Sequence, residues 1–329
     1  MSCGPSRGID LSQESFTLLS PLRGIAPPLA GDASVSLILA IRNEAGFIER
    51  TLTAILEQDF PAERMVVLIA DGQSTDATRH VIQSIATRYA APAITILDNP
   101  GQFVSPGLNA ALRHARGDII VRIDGHTIIE RDYVRACVET LLRTGADNVG
   151  GRMDPVGQNS FGKAVALATS SPFGVGGARF HYSTEEEWVD TVYLGAWPRA
   201  VFEILGGFDE EQIRNQDDEF NYRLRERGGK VLLTPRIRSL YFNRGTLRSL
   251  WKQYYQYGFW KVRVMQKHPK QMQARQFVPA LFVLGWAALM AGAIFARPAR
   301  YLLAGTAILY FGASAVAAVS VARRKAARL

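Results

Sequence analysis

Asp124 and His126 flank a single glycine at the end of the apolar run 119–123. A run of that length reads as a buried strand, which must release polar side chains where its ladder ends. In open α/β sheets, ligands bind outside the carboxyl ends of the strands. A carboxylate and an imidazole freed there, with flexible Gly125 between them, can both turn toward one cation. Asp-Gly is also a common turn dipeptide, so the triplet draws its meaning from repetition. Asp71-Gly72 closes the apolar run 65–70 in the same manner. Two strand-end carboxylates in one half-sheet point to a shared nucleotide site, with Asp71 placed to accept hydrogen bonds from a base or ribose. Asp76, five residues on, has the milder role of favouring a helix N-terminus.

A third constellation is Asn215-Gln216-Asp217-Asp218-Glu219. Three acids opening a helix stabilise its positive end. Gly206-Gly207-Phe208-Asp209 precedes them as a sharp turn and Arg223-Leu224 follows. A carboxylate at such a helix start can act as a general base once a substrate hydroxyl lies within hydrogen-bond reach.

The elements that must hold these residues follow from periodicity. Apolar runs predict strands at 35–41, 65–70, 94–97 and 119–123. Helices are predicted at 44–57, capped by Asn43, then from Thr75 or Asp76 to about 89, and at 108–115. Strands alternating with helices of ten to fifteen residues imply a largely parallel sheet covered on both faces. After about residue 150 the rhythm breaks. A glycine-rich loop at 171–179 precedes a predicted strand at 189–194 and helices at 199–205 and 217–227. A regular half followed by an irregular half suggests one domain in which the second half shapes the site for a second substrate.

The 329 residues leave room for more than such a domain. Residues 277–296 and 301–322 carry no charge, and each stretch is long enough to cross a hydrocarbon core as a helix. Joined only by Arg297-Pro298-Ala299-Arg300, they form a helical hairpin. The net charge of +8 is uneven, because fourteen Lys and Arg and one acid, Glu226, fall within 223–275. This block precedes the hairpin and interleaves Trp251, Tyr254, Tyr255, Tyr257, Phe259 and Trp260 with Lys252, Lys261 and Arg263. It reads as a membrane-surface helix attracted to anionic headgroups. Nucleic acid is not an expected partner, since a nucleic-acid stripe would not lead into two spanning helices. Cys3 and Cys137 suggest no disulfide framework, which fits a reducing compartment. With no signal peptide expected, the globular part should stay in the cytosol. The basic tail of Arg323, Arg324, Lys325 and Arg328 then returns to the same side. The predicted organisation is an irregular leader at 1–33, a globular domain at 34–245, divided near 150, and a basic aromatic segment at 246–276. Two spanning helices at 277–322 and a basic tail at 323–329 complete it.

Ala40-Ile41-Arg42-Asn43-Glu44, Asp71-Gly72-Gln73-Ser74-Thr75-Asp76, Asp124-Gly125-His126, Gly206-Gly207-Phe208-Asp209-Glu210 and Gln216-Asp217-Asp218-Glu219 occur in that order. The ordered set, spanning roughly 35–250, resembles the family 2 glycosyltransferases of GT-A fold. With Tyr193-Leu194-Gly195-Ala196-Trp197 it is most similar to the ExoA-type enzymes of succinoglycan biosynthesis. The resemblance implies a Rossmann-like sheet with helices on both faces and transfer of glucose from UDP-glucose to a polyprenyl-diphosphate-linked sugar. It implies nucleotide-sugar binding by Ala40, Arg42, Glu44, Asp71 and Asp124. It also implies a divalent cation, Mn²⁺ or Mg²⁺, on Asp124 and His126, and a base at Asp217. Two positions depart from the family pattern. His126 replaces a carboxylate, which favours Mn²⁺, since imidazole is the softer ligand. Gln216 replaces the Glu of a Glu-Asp pair and leaves Asp218 as an alternative base. The Gln-x-x-Arg-Trp signature of processive members is missing from 251–260, which implies one sugar per acceptor. The implied location is a bacterial inner membrane, with the catalytic domain on its cytoplasmic side.

Three other readings compete. A nucleotidyltransferase would want a glycine-rich, basic loop after the first strand, where Arg42-Asn43-Glu44-Ala45 stands. A dinucleotide-dependent dehydrogenase would want G-x-G-x-x-G there. A non-catalytic membrane adaptor on the same fold would tolerate loss of the strand-end acids, all of which are present.

Overall fold

The computed structural model describes residues 29–271 and 274–326. Most of the predicted leader, Cys3 and the last three residues of the tail lie outside the described residues. The first half alternates as expected: β1 (Val35–Ile41), α1 (Ile48–Leu56), β2 (Met65–Asp71), α2 (Thr78–Arg88), β3 (Ala93–Asp98), α3 (Val104–His114) and β4 (Ile119–Arg122). Next come β5 (Thr127–Ile129), α4 (Tyr133–Thr144), β6 (Asn148–Val156), α5 (Ser160–Thr169) and the short α6 (Pro172–Val175). The irregular part continues through β7 (Glu187–Val189), β8 (Tyr193–Pro198), α7 (Arg199–Leu205), α8 (Gln216–Glu226) and β9 (Val231–Phe242). Three long helices follow: α9 (Leu247–Lys267), α10 (Ala274–Phe295) and α11 (Arg297–Ala326).

All nine strands join one sheet in the order β3-β2-β1-β4-β8-β6-β9-β5, with β7 paired to β9. β1 to β4 are mutually parallel where they pair, whereas β8 enters antiparallel between β4 and β6. The two halves of the chain therefore share a single sheet. Alternate residues of each strand face opposite layers. Leu37, Leu39, Val67, Ile69 and Val121 bury against Ile48, Leu52, Ile55, Ile82, Val134 and Leu141 of α1, α2 and α4. Ile38, Leu68 and Ile120 face the other way, onto Leu108 and Leu112 of α3 and the aromatic block Trp197, Phe202, Phe208 and Phe220. Those four rings meet at centroid distances of 4.9–6.2 Å. They bolt α7 and α8 to the sheet.

Several predicted boundaries need correction. Asn43 does not cap α1, whose N-cap is Phe47. It sits at φ 54° with its side chain turned to the neighbouring loop, and short polar side chains tolerate that conformation. α2 starts at Thr78, later than predicted, and α3 starts at Val104, earlier than predicted. The single strand expected at 189–194 is two strands, parted where Thr191 Oγ1 accepts a hydrogen bond from Asn221 Nδ2 of α8 at 3.0 Å. The glycine-rich stretch at 171–179 folds partly into α6, with Ser171 as its N-cap. The hairpin is tighter than expected, since Arg297 already begins α11.

Gln276–Phe295 and Arg297–Arg323 are long and apolar enough to cross a membrane, and their windows are unburied by protein. Leu281, Leu284, Ile294, Leu302, Ile308 and Leu309 face outward, mostly by 60% or more. Apolar helices that pack on each other through Phe282, Trp286 and Tyr310, with no buried window and no polar face, mark the chain as membrane-associated.

Candidate active site

Parallel pairing brings the carboxyl ends of β1, β2 and β4 to one rim of the sheet. Ile41 lies beside Asp71 and Ile38 beside Arg122. β1 has β2 on one side and β4 on the other, which makes this rim a topological switch point, where a crevice opens.

The loops leaving the rim are laced to one another. Asn43 N–H donates to Ser74 Oγ at 2.9 Å and Thr75 N–H to Asn43 Oδ1 at 2.8 Å. Glu44 N–H donates to Thr78 Oγ1 at 2.8 Å and Ala45 N–H to Asp76 Oδ2 at 3.2 Å. Asp76 also takes the Thr78 N–H at 3.0 Å and serves the helix start as expected. Hydrogen bonding, led by the Thr78 hydroxyl, holds its carboxyl below the ordinary value. Asp71 is buried, its Oδ1 accepting from Ser74 Oγ at 2.6 Å and its Oδ2 facing Arg79 Nη1 at 3.4 Å. Ala40 is half-buried at the end of β1, and Arg42 is exposed on the rim.

Asp124 and His126 follow β4 as one turn. A Cβ on Gly125 would stand 2.8 Å from Ile41 Cγ2, so only glycine lets this turn lie over β1. Both side chains are about one-quarter exposed. Glu44 Oε1 lies 3.0 Å from His126 Nδ1. Burial alone would lower the imidazole pKa, but the hydrogen bond and charge of Glu44, with Asp124, raise it overall. Asp124 accepts from Arg122 Nε and Nη2 on the single oxygen Oδ1, at 3.1 and 2.9 Å.

Among the described residues no group of three or more His, Cys, Asp or Glu is assembled for a cation. The donor set nonetheless suits one. A carboxyl-paired Nδ1 orients the imidazole and leaves Nε2 available to a ligand, an arrangement common behind metal-bound histidine. Mg²⁺-type sites commonly take one or two protein ligands and complete the shell with substrate phosphates.

The acids opening α8 have separate surroundings. Lys261 of α9 pairs with Asp218. Asp217 Oδ1 accepts its neighbour's N–H at 2.9 Å. Burial lifts the Asp217 carboxyl above the ordinary aspartate value, Arg122 opposes the rise, and Asp218 and Asp124 add to it. Glu219 is buried and pairs with Arg223 at 2.7 Å and His268 at 3.0 Å. Arg223 also donates to the carbonyls of Leu205 and Gly207, each at 2.8 Å. The predicted glycine turn and the predicted helix are thus one clamp. Asn109 completes it by bonding Phe208 O and N–H at 2.8 Å. A Cβ on Gly207 would stand 2.4 Å from Asn109 Oδ1.

Sequence reasoning missed Arg122, which is buried, pairs with Asp124 and bears on Asp217. Its signal was a guanidinium inside an otherwise apolar strand, a place charged residues occupy only when paired.

Residues 36–197 match the model described as glycosyl transferase family 2. The succinoglycan biosynthesis protein ExoA of Rhizobium meliloti is 33% identical over 258 residues, 78% of this chain and 77% of that protein. This chain belongs to glycosyltransferase family 2. A glucuronosyltransferase of Methanococcus voltae, named for a dolichyl N-acetylglucosaminyl phosphate, is 30% identical over 71% of this chain and 74% of that protein. Among solved structures, the Pyrobaculum calidifontis mannosyltransferase PcManGT, in complex with GDP-Man and Mn²⁺, superposes with a TM-score of 0.64 at 23% identity. That match covers 89% of this chain and 86% of the other, and it establishes the GT-A fold. The enzyme is a family 2 glycosyltransferase with two apolar C-terminal helices.

Proposed function

We propose that this enzyme is an inverting, non-processive glycosyltransferase. It moves one glucose from UDP-glucose, in β-linkage, onto a polyprenyl-diphosphate-linked saccharide in exopolysaccharide biosynthesis. It works from the cytoplasmic face of a bacterial inner membrane. The observation that carries the mechanism is the contrast at the start of α8, where Asp218 is tied to Lys261 while Asp217 has, among the described residues, no cationic partner in hydrogen-bond contact. A raised pKa suits a group that must receive a proton near neutral pH.

Ala40, Arg42, Glu44, Asp71 and Asp124 line the nucleotide-sugar side. Asp71 acts there through the Ser74 turn that it holds. Asp124 and His126 would hold Mn²⁺ or Mg²⁺, which when bound would supply positive charge to the leaving diphosphate. Glu44 fixes the imidazole so that its outer nitrogen faces the crevice. The acceptor hydroxyl oxygen bonds to the anomeric carbon as the bond from that carbon to the diphosphate oxygen breaks. The electron pair leaves with UDP, and the hydroxyl proton passes to Asp217. One displacement inverts the centre, so an α-linked donor yields a β-linked product.

The domain divides its labour near residue 150, with the nucleotide sugar on 34–150 and the acceptor on 151–245. The name of the relative ExoA supports succinoglycan-like polysaccharide as the product class, and that of the M. voltae relative supports a polyprenyl-linked acceptor. A Staphylococcus aureus neighbour, TarS, solved with UDP-GlcNAc at a TM-score of 0.50, supports a UDP-sugar. Membranes carrying the enzyme, incubated with a panel of radiolabelled UDP-sugars, should place label from UDP-glucose in the extracted lipid-linked fraction. Label from another UDP-sugar alone would replace the donor. Label from none would contradict the reading.

A further inference from the structure

The two longest stretches of the chain without an Asp or Glu are 155–184 and the whole of 227–329. The later stretch carries α9 and the apolar spans. The earlier one carries α5 and α6, none of whose side chains has a role above.

The fold joins the two stretches. Val156 pairs with Phe242 at the ends of β6 and β9, and Asn243 N–H donates to Val156 O at 2.9 Å. Asn159, the N-cap of α5, donates from Nδ2 to Gly245 O at 2.9 Å, just before α9 begins. α5 also packs against α11, the second apolar span. The helix is thus tied both to the start of α9 and to a span.

This corner presents apolar and cationic side chains to solvent. Phe173 of α6 is 54% exposed, beside exposed Pro172, Gly174, Gly176 and Gly177. Lys163 is exposed on α5, as are Arg248 and Lys252 on α9. α6 folds back on α5 so closely that a Cβ on Gly174 would stand 2.0 Å from Ala168 O. The fold-back holds the Phe173 ring outward. An aromatic ring set among cations and free of acids suits the boundary between headgroups and acyl chains. Anionic headgroups attract the cations and would repel carboxylates.

We propose that α5 and α6 form a second bilayer contact, separate from α9, in which Phe173 enters the interface of an anionic leaflet and Lys163 meets its phosphates. The partner is the bilayer because α5 touches α11, so the leaflet that surrounds the span also reaches α5. The contact adjoins the candidate active site, since the Tyr241 ring, one residue before Phe242, meets the His126 ring at 6.1 Å. Two contacts restrict the tilt of the domain more than α9 alone and seat this rim at headgroup level. The inference rests on membrane association and is independent of the donor and acceptor proposed above.

The test uses the full-length enzyme in nanodiscs containing phosphatidylglycerol. Cys3→Ala leaves only Cys137, which is buried. In that background Phe173→Cys, Lys163→Cys and Thr95→Cys are each labelled with a nitroxide. Thr95 is an exposed control on β3, at the sheet edge away from β9. Power-saturation spin resonance reads collisions with oxygen, which concentrates in lipid, and with a nickel chelate, which stays in water. The oxygen-to-nickel ratio at Phe173→Cys should exceed that at Thr95→Cys several-fold, with Lys163→Cys between them. Ratios at both test positions equal to the control would overturn the contact. A Phe173→Cys label shielded from both reagents would overturn it too, by showing that protein covers the site. Phe173 and Lys163 are both exposed, so either exchange should leave the fold intact and each position reads the contact independently.

Discussion

Asp217 and Asp218 are adjacent in sequence but have opposite surroundings, and exchanging each for Asn separates them. Asp217→Asn keeps size and hydrogen bonding but cannot take a proton, so turnover should fall by about 10²–10⁴-fold, while UDP affinity, read by calorimetry, survives. Asp218→Asn loses the Lys261 pair and should cost far less. A dead Asp218→Asn beside a nearly normal Asp217→Asn would move the base one residue along. The pH profile follows from the same surroundings. The base must be ionised, and its folded pKa is raised, so kcat should fall with decreasing pH through a limb lying above the ordinary aspartate range. Arg122 lowers that pKa, so Arg122→Met should push the limb to still higher pH, a shift readable from pH–rate curves. A limb that moves down instead would contradict the role given to Arg122. On the donor side, Asp124→Ala and His126→Ala should weaken Mn²⁺ binding, measured by calorimetry or spin resonance in the presence of UDP, and cost orders of magnitude in rate. The strand-end acids were legible because each interrupts an apolar run. The pairing of Glu44 with His126 was not, because the two lie 82 residues apart.

Elements were legible where local pattern and tertiary role agree. β1 matches its apolar run residue for residue, and β2 and β4 to within one residue at their ends. α1 and α2 begin late because Asn43, Thr75 and Asp76 spend their polar groups lacing the two loops, where local side-chain bonds compete with helix formation. β9 gave no signal. Pro235 and the charged Arg236 and Arg238 break its apolar pattern, and its pairing with β6 jumps from Thr234 to Arg238. Proline is confined to such irregular places in sheets. α8 stands on aromatic packing more than on its own sequence. Trp197→Ala should therefore destabilise the domain by about 3–5 kcal/mol. Chemical denaturation of the full chain in detergent would measure it, and a loss below about 1 kcal/mol would contradict a packed block.

At the scale of the whole molecule, α9 joins two environments. Its inner face bonds α8, while Leu247, Trp251, Tyr255 and Phe259 form an outward apolar stripe and Arg248, Lys252 and Arg263 add charge. A chain cut after Lys270 should leave the bilayer only in part, keeping an affinity for anionic vesicles that is lost as salt screens it. Complete solubility at low salt would contradict a lipid-facing α9. Composition alone made the basic block and the apolar spans legible, whereas the docking of α9 on α8 depends on pairs such as Lys261–Asp218 and His268–Glu219, 43 and 49 residues apart. Under the proposed mechanism the new bond forms in a single in-line displacement governed by one base. The most direct measurement is the anomeric configuration of the new linkage, read by NMR on product made by the purified enzyme from an α-linked UDP-sugar. A β-linkage is predicted, and an α-linkage would contradict the account.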